Sequence, residues 1–210
     1  MTTLSTIRGA DELIAQGLAA RDDLPALEQV AARYAVAVTP AVAALINRDD
    51  PDDPIARQYI PRADELLTQP QERADAIGDH VHSPVDGIVH RYPDRVLFKL
   101  VHVCAVYCRF CFRREMVGPG KDNALSGNAY AAALDYIRGH AEIWEVILTG
   151  GDPLMLSPRR LGELMGDLAA IDHVKIIRLH TRVPVADPAR ITAEMVAALK
   201  VVDATTWVAL

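Results

Sequence analysis

All three cysteines of this 210-residue chain, Cys104, Cys108 and Cys111, fall within eight residues of the stretch VHVCAVYCRFCFRRE, Val101 to Glu115. An odd count argues against a disulfide framework, and clustered thiols in a reducing compartment more often bind metal or do chemistry. Three thiolates on one loop can hold three corners of a metal site. A structural zinc ion wants four ligands, usually as two separated pairs. One cluster is present here, so a Cys3His zinc module stays open only if His102, His80, His82 or His90 supplies the fourth ligand. An iron–sulfur cluster normally takes four cysteines. With three, one iron keeps an open position, which a substrate or cofactor can fill.

Two other stretches carry chemistry. Thr149-Gly150-Gly151-Asp152-Pro153 follows the apolar run WEVIL. Paired glycines let backbone approach a ligand closely, and Asp152 offers a carboxylate to an ammonium. His180-Thr181-Arg182 follows a further apolar run, VKIIRL. Behind the last cysteine stand Arg113 and Arg114. Arg113 could serve as the counter-charge of an anionic cluster.

The elements that must position these groups come in two blocks. Residues 1–87 are expected to form a helical extension and linker, and 88–210 a core. In the first block, apolar spacing predicts helices over Ala10–Ala20 and Leu24–Tyr34. Thr39-Pro40 opens a short helix over Ala41–Ile46. The run NRDDPDDP then breaks the pattern, and the polar stretch Gln69–Asp86 reads as a surface connection. In the second block, strands are expected at Arg95–Val103, Trp144–Leu148, Val174–Leu179 and Thr205–Leu210. Helices are expected at Ala129–Gly139, Ser157–Ala170 and Thr192–Val201. Strand–helix alternation of this kind marks an α/β fold with a parallel sheet. It places the cysteine loop, the Gly-Gly-Asp-Pro loop and His-Thr-Arg at one sheet end, where α/β active sites lie.

Half the residues are apolar, 24% are charged and the net charge is -6. That balance favours a soluble protein and argues against a nucleic-acid or membrane-surface binder. No signal peptide and no membrane span is read, so the expected compartment is the cytoplasm. An eight-fold parallel barrel takes about 250 residues. Three units and a strand are present here, ending inside an apolar run, so a fragment or truncated frame is expected. A small open sheet is the alternative.

The C-x3-C-x2-C spacing, with Phe110 before the last cysteine, resembles the signature of the radical SAM superfamily. HRYPDRVL (His90–Leu97), CAVYCRFCFRR, LTGGDPL, DDPDDPIARQYIP (Asp49–Pro61) and RLHTRVPVADPARIT (Arg178–Thr192) are together similar to lysine 2,3-aminomutases, including the branch acting on elongation factor P. This resemblance covers roughly Thr39 to Leu210 and implies a partial (β/α) radical SAM barrel with an N-terminal helical extension. It implies a 4Fe-4S cluster on Cys104, Cys108 and Cys111, with S-adenosylmethionine (SAM) on the fourth iron. Phe110, Gly150, Gly151 and Asp152 would contact SAM. Arg95 would hold the phosphate of pyridoxal 5′-phosphate, and Arg113 the substrate carboxylate. The implied reaction interconverts L-lysine and β-lysine through a 5′-deoxyadenosyl radical and a pyridoxal imine. Lys99, Lys121, Lys175 and Lys200 do not match the family's pyridoxal-binding lysine, which lies beyond this stretch, so the piece alone is expected to be inactive. Expected partners are an amino-acid substrate, an electron donor such as flavodoxin or ferredoxin, and a second copy in a homo-oligomer. A radical SAM enzyme of another reaction class is the alternative within the superfamily.

Overall fold

A computed structural model describes residues 5–118 and 122–210; Lys121 lies outside them. Among the described residues the N-terminal block holds four α-helices: α1 (Ala10–Ala15), α2 (Leu24–Arg33), α3 (Pro40–Ala43) and α4 (Ala56–Tyr59). The helix α1 stops well before the expected Ala20, because Gly17 takes φ +66° and turns the chain. Thr39 caps α3 as expected, its hydroxyl accepting from Val42 N at 3.3 Å.

The core follows in the order β1 (Ile88–Tyr92), β2 (Arg95–Val101), α5 (Gly127–Arg138), β3 (Glu145–Gly150), α6 (Pro158–Ala169), β4 (Ile176–His180), α7 (Val183–Ala186), α8 (Ala193–Leu199) and β5 (Thr205–Ala209). The helices start where the sequence places hydroxyl caps. Ser126, Ser157 and Thr192 accept from Ala129 N, Arg160 N and Met195 N, respectively. The sheet order is β1-β2-β3-β4-β5. The strands β2 to β5 are parallel neighbours, and β1 pairs antiparallel with β2. The hairpin β1–β2, in which Tyr92 faces Arg95 across Pro93-Asp94, was not expected from the sequence.

Alternation along the strands gives the sheet two unlike faces. On one, Phe98, Val146, Leu148, Ile177 and Leu179 are fully buried and share an apolar cluster with Leu134 and Ile137 of α5, Leu164 and Leu168 of α6, and Met195 of α8. On the other stand Arg95, Lys99, Glu145, Thr149, Arg178 and His180. Glu145 is 1% exposed there and would be costly alone. It is neutralised by Arg178, whose Nε donates at 2.7 Å, and by Arg95 at 3.2 Å. The N-terminal block adds Ile7, Leu13, Val38, Val42, Tyr59 and Ile60 to the same apolar cluster. Among the described residues no helix is long and apolar enough to cross a membrane.

Candidate functional site

The cysteine loop, the Gly-Gly-Asp-Pro loop and His-Thr-Arg leave β2, β3 and β4 at their C-terminal ends. Cys104, Cys108 and Cys111 line one cavity together with Asp152 and Arg182 from the two neighbouring loops. The glycines explain how these loops come so close. Gly150 takes φ +102°, open to glycine at no steric cost. Gly151 N donates to Val101 O at 2.6 Å and Asp152 N to Val103 O at 2.9 Å. A Cβ on Gly151 would lie 2.5 Å from Val103 O and 2.6 Å from Val103 N. Here the bare backbone of the glycine pair meets the end of β2, three residues from Cys104.

Asp152 does not present a free carboxylate. Its Oδ1 accepts from Thr181 Oγ1 at 2.7 Å and Leu154 N at 3.0 Å, and its Oδ2 accepts from Arg182 N at 2.7 Å. The sequence suggested an ammonium ligand for this side chain. In the structure two of its three hydrogen bonds, from Thr181 and Arg182, tie the β3 loop to the β4 loop.

The cysteine loop is held mostly by the N-terminal block. Arg109 N donates to Gln58 O at 2.8 Å, and Tyr107 N to Ala37 O at 3.3 Å. The Arg109 guanidinium forms a two-pronged pair with Glu65, at 2.9 and 2.6 Å, and reaches Ala35 O at 2.8 Å. Arg114 lies 3.3 Å from the same Glu65 and 3.4 Å over the Tyr34 ring. Among the described residues its buried Nε has no hydrogen-bond partner.

Burial works against the thiolate form of two of the cysteines. Burial, then Asp152 and Cys111, push the Cys104 thiol up to about 12. Burial raises Cys108 too, against the charge of Arg182. Thiols so placed stay protonated at neutral pH unless a metal centre takes the proton's place. Among the described residues, no three His, Cys, Asp or Glu side chains converge closely enough for one metal ion. His102, the candidate fourth zinc ligand, has its Nδ1 2.9 Å from Asp122 O.

The remaining candidates separate. Arg113 donates through Nε to Asp79 Oδ2 at 2.9 Å. Asp79 is 5% exposed and also faces Lys99 at 3.8 Å and Arg91 at 4.0 Å. Residues 69–86, expected to be a plain surface connection, thus send a buried carboxylate to the site end of the sheet. Burial draws the Lys99 amine down, with Asp79 opposing. Sequence reasoning missed Asp79 and Lys99; a charged residue in an apolar strand, FKLV, was the available signal for Lys99. Arg95 is not brought to the cysteines. It opens β2, roughly 20 Å along the strand from its cysteine end, and is held by Asp94 at 2.7 Å and by Glu145. Phe110 is 52% exposed, with Arg182 5.7 Å from its ring centre.

No family model matches the chain. Named relatives do. The L-lysine 2,3-aminomutase of Clostridium subterminale is 41% identical over 165 residues, 79% of this chain and 39% of the relative. That of Methanococcus maripaludis is 40% identical over 168 residues, 80% of this chain and 39% of the relative. That of Escherichia coli strain K12 is 39% identical over 151 residues, 72% of this chain and 43% of the relative. Over that shared stretch the chain belongs to the lysine 2,3-aminomutase family. It spans about two fifths of the length of these relatives.

Proposed function

We propose that this member of the lysine 2,3-aminomutase family is the cluster- and SAM-binding part of a radical SAM aminomutase whose substrate is L-lysine and whose product is β-lysine. One observation carries the reading: three partly buried cysteines, the Asp152 loop and Arg182 from three successive strand ends line one cavity. Consecutive parallel strands with their crossover helices packed on one face support a segment of a (β/α) barrel, since doubly wound sheets cover both faces.

Cys104, Cys108 and Cys111 would hold three irons of a 4Fe-4S cluster and leave the fourth open to SAM. When bound, the cluster supplies an electron to SAM for hydrogen abstraction, and pyridoxal phosphate supplies a carrier for the migrating nitrogen. The protein's own part is placement. Glu65 fixes Arg109 and with it the backbone between Cys108 and Cys111. Asp79 orients Arg113, whose remaining donors suit an amino-acid carboxylate. The Glu145 pairings give Arg95 a structural task at the far end of β2; its reach to a phosphate stays an expectation of the family resemblance.

The test is anaerobic reduction of the reconstituted chain with SAM. Release of 5′-deoxyadenosine and methionine, lost in Cys108→Ala, is expected. The lysine reading is tested on the complete gene product with L-lysine and pyridoxal phosphate. β-Lysine supports it; 5′-deoxyadenosine without β-lysine moves the protein to another radical reaction.

A further inference from the structure

Two arginines beside the cysteines, Arg109 and Arg114, share one carboxylate, Glu65. All three side chains are largely withdrawn from water. Two cations against one anion leave this group with a positive charge over, which burial makes costly. The two arginines also use their donors differently. Arg109 gives Nε and one terminal nitrogen to Glu65 and the other terminal nitrogen to Ala35 O, so all three are engaged. Arg114 sits over the Tyr34 ring. One of its terminal nitrogens reaches Arg109 O at 3.4 Å, and the other lies 3.3 Å from Glu65. Its Nε is left over, buried, with no acceptor among the described residues.

A buried donor without a partner is costly, and more so on a charged group. Arg114 lines the cavity of Cys104, Cys108 and Cys111. The side chains around it do not supply the acceptor: Ala105, Val106 and Val117 are apolar, and Asp152 already accepts three hydrogen bonds. An orphaned N–H and an excess positive charge both point to an anion in that cavity. We infer that Arg114 donates its Nε–H to a sulfur of the cluster held by the three cysteines and so favours the reduced cluster, an assignment that rests on the cluster-and-SAM reading above. A thiolate-bound cluster is anionic, and an added electron makes its sulfurs more negative. A guanidinium bonded to one of them therefore holds it more strongly after reduction and raises the potential. Tyr34 and Glu65 are the positioning residues, one against the guanidinium face and the other at its terminal nitrogen. The N-terminal block thus sets the cluster's chemistry as well as its place.

The test is an anaerobic redox titration of the reconstituted chain, with cluster reduction followed by electron paramagnetic resonance. Arg114→Gln should shift the one-electron equilibrium about tenfold towards the oxidised cluster, a midpoint about 59 mV more negative. Arg114→Lys keeps the charge but has no donor at the Nε position, so it should recover only part of the shift. Equal midpoints in parent and Arg114→Gln overturn the assignment. So does full recovery in Arg114→Lys, which would make Arg114 a bare counter-charge. Iron content separates a lost cluster from a shifted one. Should either variant fail to take up iron, the parent decides. Grown on arginine carrying nitrogen-15 at Nε alone and then reduced, it should show a nitrogen-15 coupling in pulsed electron paramagnetic resonance. Arg182→Lys, which removes another arginine of the cavity, should keep that coupling. No coupling in the parent, or a coupling lost with Arg182, overturns the assignment. A parent that takes up no cluster brings down the underlying reading and this assignment with it. A parent with a cluster beside an unshifted Arg114→Gln brings down this assignment alone.

Discussion

The two loops that meet at the cavity are built by opposite means. The loop after β3 is held from within the sheet: glycine backbone against the end of β2, and one carboxylate bonded to residues within its own turn and the next strand's end. The loop after β2 is held from outside the sheet. Its supports are Ala35, Ala37, Gln58 and Glu65, between 44 and 74 residues away for the Arg109 side-chain bonds. The first kind of support needs a glycine pair and an aspartate side by side, so it leaves a motif. The second needs only a surface that fits, so it leaves none. The N-terminal block is therefore part of the site's architecture, although it contributes none of the cysteines.

The sharpest break of this contrast is Glu65→Ala. It removes the shared partner of Arg109 and Arg114 in a pair whose side chains are 9% and 12% exposed. Loss of one member of a buried pair costs about 3 kcal/mol or more, and a melting-temperature drop of roughly 10 °C is expected for a chain of this size. The iron content after reconstitution should fall with it. Calorimetry and iron analysis on the variant check both. A stable variant with full iron would deny the N-terminal block its role.

Gly151→Ala attacks the loop after β3. Its Cβ would overlap the backbone of Val101 and Val103, which cannot move without shifting the end of β2. An expected loss of about 2 kcal/mol would show in urea unfolding. Asp152→Asn is milder, at about 1–2 kcal/mol, because the new amide sets a donor against Thr181 or Arg182 N. SAM binding should weaken in this variant more than stability does.

The smallest effect is a pH dependence of the cluster-free chain. Cys104 titrates near 9 when unfolded and is pushed up to about 12 when folded. Between those values the folded state keeps a proton that the unfolded state has released. Stability supplied by this thiol is thus complete below pH 9 and is lost as pH rises towards 12. Denaturant midpoints measured up that range should fall. Cys104→Ser should flatten the decline.

The sequence made legible what is periodic or spaced. Strands β2 to β5 and helices α2, α5, α6 and α8 stood out because their apolar residues repeat with the right period, and the last three helices also have hydroxyl caps. The hairpin strand β1 did not. Its outer half, His90-Arg91-Tyr92, is polar, and Pro93-Asp94 is a weak hairpin signal beside the Asn-Gly type. In the site, the cysteines and the glycine pair were legible from spacing. The direction in which a carboxylate points was not: Asp152 and Asp79 look alike in sequence, yet one ties two loops together and the other orients Arg113 beside Lys99. Arg114 was noted by position, but its orphaned Nε emerges only once its terminal nitrogens are seen to be engaged.

The central claim is that three cysteines leave one iron open. Electron paramagnetic resonance of the reconstituted, reduced chain, recorded with and without SAM, tests it most directly. A 4Fe-4S signal that changes when SAM is added is the predicted result. Stoichiometric zinc with no cluster, or a cluster signal indifferent to SAM, would contradict it.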